Sequence, residues 1–124
     1  MSIVCRGVRG ATTTTTNTKG AILEATTELL ERLLIANDLH QTAIAAAFFT
    51  TTRDLNTEFP AVAARQMGWT DVALLDSHEM DIPGALPYCI RVLLLINTEK
   101  ESCEIVNIYL RDAVNLRPRG VESG

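Results

Sequence analysis

Lys19-Gly20-Ala21-Ile22-Leu23-Glu24-Ala25-Thr26-Thr27-Glu28-Leu29-Leu30-Glu31-Arg32-Leu33-Leu34-Ile35-Ala36-Asn37 is the stretch around which the rest of the chain must arrange itself. Ile22, Thr26, Leu29, Leu30, Leu33 and Leu34 recur at three- and four-residue spacing, which on a 3.6-residue period makes one apolar stripe. Glu24, Glu28, Glu31 and Arg32 take the opposite side, and Glu28 is spaced to pair with Arg32 one turn on. Asn17 or Thr18 can cap the start by accepting backbone N–H bonds, and Asn37-Asp38 offers a stop. The spacing predicts a long amphipathic helix with a single face to bury.

Upstream, Ile3 to Val8 alternates and carries β-branched residues, which reads as a strand that Gly10-Ala11-Thr12 ends. Arg6 and Arg9 are three positions apart, so on an extended strand they face opposite sides. Thr12 to Thr16 reads as a loop to the helix cap. Downstream, Ile44 to Thr52 reads as a strand that turns polar at its end, because Phe48-Phe49-Thr50-Thr51-Thr52 outweighs the alanines before it. Pro60 suits the first turn of a short helix over Ala61 to Met67, closed by Gly68. Val72 to Leu75 is a short strand, Asp76 to Gly84 a polar loop, Cys89 to Asn97 the strongest strand and Ile105 to Leu110 the last one. A turn or short helix around Arg111 to Val114 follows.

The order is strand, helix, strand, short helix, strand, strand, strand. That is an α+β chain: a five-stranded mixed β-sheet packed on one long helix. One helix cannot cover both faces of such a sheet, and the second face carries apolar residues too. A homo-oligomer is therefore expected.

The 124 residues make one domain with one core, expected over residues 1–116, and a flexible tail over residues 117–124. With 47% hydrophobic and 21% charged residues the chain is neither disordered nor fibrous. A net charge of -4 argues against general nucleic-acid binding. The longest apolar run, Val92 to Ile96, is far short of a bilayer span, and the N-terminus has no signal-peptide pattern, so neither a membrane nor export is expected and the cytoplasm is. Three cysteines without a CxxC pair indicate neither a disulfide framework nor a zinc ribbon. Phosphate-loop and dinucleotide fingerprints are absent. Nine arginines against two lysines is unusual in an acidic protein, and guanidinium forks match carboxylates, which hints at a small anionic partner.

Arg91 stands inside the apolar run Cys89 to Ile96, where a permanent charge needs a partner: a structural carboxylate, or a ligand oxygen. Asp76, His78, Glu79 and Asp81 crowd one loop, open to three readings: a solvated acidic loop, a carboxylate aimed into a pocket, or a metal site. Their D-x-H-E-x-D spacing is no established metal signature. Tyr109 is either a core aromatic or a hydrogen-bonding phenol. Several arginines with one carboxylate, one phenol and no obvious nucleophile would bind a polycarboxylate and stabilise charge on it without bonding to it.

Six short motifs add a resemblance. Arg6-Gly7-Val8-Arg9-Gly10-Ala11-Thr12-Thr13, Phe59-Pro60-Ala61, Glu79-Met80-Asp81, Cys89-Ile90-Arg91-Val92, Val106-Asn107-Ile108-Tyr109-Leu110 and Leu116-Arg117-Pro118 stand in the order and spacing of another group of proteins. The chain resembles the small trimeric chorismate mutases, the monofunctional bacterial type. That resemblance implies a homotrimer closing its sheets into a pseudo-α/β-barrel, with active sites between subunits. It implies the Claisen rearrangement of chorismate to prephenate, towards phenylalanine and tyrosine, with no cofactor and no metal. By resemblance Arg91 donates to the ether oxygen and a carboxylate, Arg9 holds a carboxylate with Tyr109 assisting, and Glu79 accepts from the ring hydroxyl. Phe59, Ala61 and Arg65 would line the cleft from the neighbouring subunit, Asp76 would lie close to the substrate hydroxyl near Glu79, and Leu116 and Arg117 would close the cleft from the tail. Two positions depart from the best-known member, Asp76 where it has a cysteine and Val62 where it has a lysine. Two other readings are a trimeric imine-hydrolysing deaminase, against which the motif series speaks, and a non-catalytic module that binds aromatic-pathway acids.

Overall fold

The apolar stripe of the long helix is where the core assembles. In the computed structural model, which describes residues 2–116, helix α1 spans Lys19–Ala36 and buries Ile22, Ala25, Thr26, Leu29, Leu30 and Leu33. Of the two candidate caps it is Thr18 that acts, its hydroxyl accepting from the Ala21 N–H at 3.2 Å. Thr26 sits in the stripe at no polar cost because its hydroxyl donates back to the Ile22 carbonyl at 2.7 Å. The helix ends at Asn37, and Asp38 takes a left-handed φ of 48°. Asn37 also ties this end to a distant segment: its amide donates to the Leu33 and Val106 carbonyls and its oxygen accepts from the Val106 N–H.

The expected Glu28–Arg32 pair gives way to another. Glu28 lies 3.2 Å from Arg111, whose guanidinium also donates to the Thr13 carbonyl. A cation already held by a backbone carbonyl loses less side-chain entropy on pairing than a free helix-surface arginine would.

Five strands, β1 (Val4–Thr13), β2 (Ile44–Thr51), β3 (Ala73–His78), β4 (Cys89–Thr98) and β5 (Ile108–Tyr109), form one mixed sheet in the order β3-β2-β4-β1-β5. The central β4 is antiparallel to β1 and β2, while β3 runs parallel to β2 and β5 parallel to β1. A short helix α2 (Ala61–Gln66), entered through Pro60, lies in the crossover from β2 to β3 that a parallel pair requires. Element order and the α+β class follow the sequence reading.

Three boundaries do not. Gly10-Ala11-Thr12, expected to end the first strand, continues it to Thr13, because β4 offers ladder partners as far as Cys89 and β5 pairs with Gly10 and Ala11 on the other side. Asp76-Ser77-His78, expected as loop, belongs to β3, because Phe49, Thr50 and Thr51 of β2 stand alongside as parallel partners. The last strand shrinks from the expected Ile105–Leu110 to two residues, since Val106 bonds Asn37 instead.

The two sheet faces differ. Val8, Phe49, Val92, Leu94 and Ile96 pack under Leu29, Leu30 and Leu33 of α1 in one core. On the other face, Phe48 is 38%, Leu93 37% and Leu75 57% exposed, and no described element covers them.

Candidate active site

Alternation along β4 sends Ile90, Val92 and Leu94 into the core and leaves Arg91 and Leu93 on the uncovered face. The ladders then supply neighbours. Arg91 stands opposite Ala11 on β1 and Thr50 on β2, and Leu93 opposite Arg9 and Phe48. Ala11 is level with Tyr109 of β5. Glu79 follows directly after β3, its N–H donating to the Thr51 carbonyl at 2.8 Å. Its carboxylate accepts from the Thr50 hydroxyl and lies 3.3 Å from Arg91 Nε. Arg9, Phe48, Thr50, Glu79, Arg91 and Tyr109 line one hollow of about 340 Å³. The partner of Arg6 is on the other side of β1, as the three-residue offset requires: its Nε donates to the Lys100 carbonyl.

Arg91 is not buried, as its apolar run suggests, since alternate residues of that run belong to opposite faces. The side chains of Arg91 and Glu79 are 45% and 28% exposed. Such a pair contributes little to stability. It orients the guanidinium through Nε and leaves the two terminal nitrogens for other acceptors. Next to it, burial pushes the Cys89 thiol above its ordinary range, against the smaller opposing pull of Arg91. A buried thiol raised in this way is a poor nucleophile.

A second hollow, of about 470 Å³, is lined by Lys19, Thr51, Phe59, Pro60, Asp76 and His78 among others and shares no residue with the first. Asp76 Oδ1 accepts from the Ala61 N–H at 3.1 Å. Burial raises the Asp76 carboxyl; the Ala61 bond and Arg65 oppose this, and Glu58 adds to it. The expected pairing with Glu79 is therefore not found within one chain: the carboxylate that bears on Asp76 is Glu58. Ala61 is fully buried and Phe59 exposed. Leu116 lines a further hollow of about 310 Å³ together with Glu79 and Arg91. Arg117 lies outside the described residues.

Asp76, His78, Glu79 and Asp81 diverge. Asp76 bonds Ala61, His78 Nδ1 lies 3.2 Å from the Thr51 hydroxyl, Glu79 meets Thr50 and Arg91, and Asp81 is 4.0 Å from Arg53. Among the described residues no three ligand-type side chains converge on a metal position. Sequence reasoning missed Thr50, which holds Glu79, and Phe48, which walls the hollow. The alternation Phe48-Phe49-Thr50 in a half-buried strand was the available signal.

Two arginines, a carboxylate and a phenol on an uncovered sheet face define a protein that engages a polyanionic ligand through charge and hydrogen bonds. The family model described as chorismate mutase type I matches residues 5–119, and the chain belongs to that family. It is 48% identical over 114 residues to chorismate mutase AroH of Thermus thermophilus, covering 91% of this chain and 93% of that one. It is 37% identical over 117 residues to chorismate mutase AroH of Bacillus subtilis (strain 168), covering 94% and 92%. Among solved structures, the chorismate mutase from Clostridium thermocellum superposes with a TM-score of 0.86 at 44% identity, over 87% of this chain and 96% of that one.

Proposed function

We propose that this chain isomerises chorismate to prephenate, at sites each built from the two hollows of neighbouring copies in a trimer. The observation that carries the reading is the convergence of Arg9, Glu79, Arg91 and Tyr109 in one hollow of a chain that belongs to this family. In the rearrangement a carbon–oxygen ether bond breaks while a carbon–carbon bond forms, and negative charge grows on the ether oxygen. Arg91 donates to that oxygen and to a substrate carboxylate; its fork serves both where a lysine could serve one. Arg9 and Tyr109 hold a carboxylate, and Glu79, steadied by Thr50, accepts from the ring hydroxyl. No bond to the protein forms. Rate comes from holding the reactive conformer and from donors already in place where charge develops.

The second hollow supplies the opposite wall. Phe59 is 63% exposed in one chain, which suits an aromatic that packs on substrate held by a neighbour. Arg65 is exposed and near enough to Asp76 to act on its carboxyl, and the Ala61 N–H is held by the same carboxylate. Asp76 stands on this wall, so its proximity to Glu79 is between chains. Phe48, Leu75 and Leu93 supply apolar area for the sheet-to-sheet contact, and Leu116 closes the cleft.

The test is to incubate the purified protein with chorismate and follow loss of its diene absorbance. Loss well above the buffer rate at micromolar protein, with prephenate as product, is the expected result. Binding of chorismate without turnover would favour the non-catalytic module instead.

A further inference from the structure

Tyr88, the last residue before β4, holds φ at 52°, the left-handed region that a bulky side chain disfavours. On the N–H side a carboxylate holds it there. Both oxygens of Asp54 accept from the Tyr88 N–H, at 3.2 and 3.0 Å. Asp54 also accepts from the Thr52 hydroxyl, whose oxygen in turn accepts from the Cys89 N–H at 3.0 Å. The Thr52 N–H donates to the Cys89 carbonyl at 3.0 Å, and Thr14 caps the Tyr88 carbonyl at 2.9 Å. The peptide groups leading into Arg91 are thus fixed from the far end of β2. Asp54 lines neither the Arg91 hollow nor the Asp76 hollow; it borders a smaller one of about 200 Å³ that Glu79 also lines, but both of its oxygens are turned to the Tyr88 N–H.

We propose that Asp54 is a positioning residue: it clamps the left-handed turn at Tyr88 and so sets where β4 begins and where the Arg91 guanidinium points. Without the clamp, Tyr88 relaxes to negative φ and the start of β4 swings with it. A donor that must meet charge growing on one atom tolerates little displacement. The proposal rests on the charge-stabilising role given to Arg91 above.

Four variants test it: Asp54→Ala, Asp54→Asn, Tyr88→Gly and the Asp54→Ala/Tyr88→Gly pair. Glycine takes positive φ without steric cost, so the pair needs no clamp. Relative to the parent chain, Asp54→Ala should lower kcat roughly 10- to 100-fold with KM much less changed. Asp54→Asn, which keeps one acceptor oxygen, should lose less. Tyr88→Gly should stay near the parent, and the pair should recover most of the lost kcat. If Asp54→Ala fails to fold, Asp54→Asn with and without Tyr88→Gly is compared in the same way. Amide hydrogen exchange over residues 86–91 should quicken in Asp54→Ala, a readout independent of turnover. A kcat within twofold of the parent in Asp54→Ala, a loss that Tyr88→Gly does not recover, or unchanged exchange overturns the proposal. A parent chain inert towards chorismate overturns the functional reading instead and leaves the clamp to be judged by exchange.

Discussion

The Arg91–Glu79 contact carries two demands at once. Nε of Arg91 meets Glu79, so aiming the fork and stabilising ligand charge fall to different nitrogens of the same side chain. Arg91→Ala should lower kcat by about 10²–10³-fold, the usual worth of one preorganised donor, with an unchanged circular dichroism spectrum. A near-normal kcat would refute the charge-stabilising role. Glu79→Gln should lose less than Glu79→Ala, because the amide oxygen can still accept from Thr50 and from a substrate hydroxyl; equal losses would argue against that contact. Asp76 gives a prediction about pH. Its carboxyl is raised in the folded chain above its ordinary value of 3.8, with burial as the first cause. The folded state therefore binds that proton more tightly than the unfolded state does. Ionisation of Asp76 costs stability at pH values above the raised range, and the cost vanishes as pH falls through that range towards 3.8. Asp76→Asn keeps an acceptor for the Ala61 N–H and removes the charge. It should raise the urea midpoint at neutral pH, and the gain should shrink on acidification. A gain that grows in acid would contradict this assignment.

At the scale of elements, the β1–α1 contact is set by the absence of a side chain at Gly10. A Cβ there would lie 2.9 Å from Leu33 Cδ1, 3.1 Å from Leu29 Cδ1 and 3.4 Å from the Ile108 carbonyl, and both leucines are fully buried. Gly10→Ala should cost about 1–3 kcal/mol through overpacking. Gly20, in the first turn of α1, has nothing within 4 Å of its would-be Cβ, so Gly20→Ala should instead stabilise by about 0.4–1 kcal/mol through the unfolded state. Thermal denaturation of the two variants should shift in opposite directions; shifts of the same sign would refute the packing argument at Gly10. The contrast marks what sequence can and cannot convey. Periodicity over Lys19 to Asn37 and the polar breaks elsewhere were enough for element order. Strand extents were not legible, because the partners that extend β1 to Thr13 and β3 to His78 stand on other strands. Arg9, Glu79, Arg91 and Tyr109 were legible as types suited to a polycarboxylate, and as a set only through the motif series. The resemblance that puts Asp76 near Glu79 does not say whether the two belong to one chain, and within one chain β3 carries Asp76 towards α2 before Glu79 leaves the strand. Asp54 reads only as a loop residue, because nothing local announces a carboxylate that serves a turn on another strand.

At the scale of the whole molecule, the separation of the two hollows makes a sharp demand. If each site takes Arg91 from one copy and Arg65 from the next, a variant of either residue damages every site of its own trimer. Arg91→Ala and Arg65→Ala chains mixed before refolding assort at random. In a closed ring, each site then draws an intact Arg91 half with a chance of one in two, and an intact Arg65 half from the adjacent copy with the same chance. About a quarter of the sites in an equimolar mixture should be fully intact, although neither parent variant has any. The mixture should thus recover close to a quarter of the unmutated kcat per site, far above either variant alone, and light scattering should report a trimer throughout. If both halves of a site come from one chain, every site keeps its own damage and the mixture shows only the mean of the two variants. That outcome would leave the uncovered sheet face without a catalytic reason to be paired.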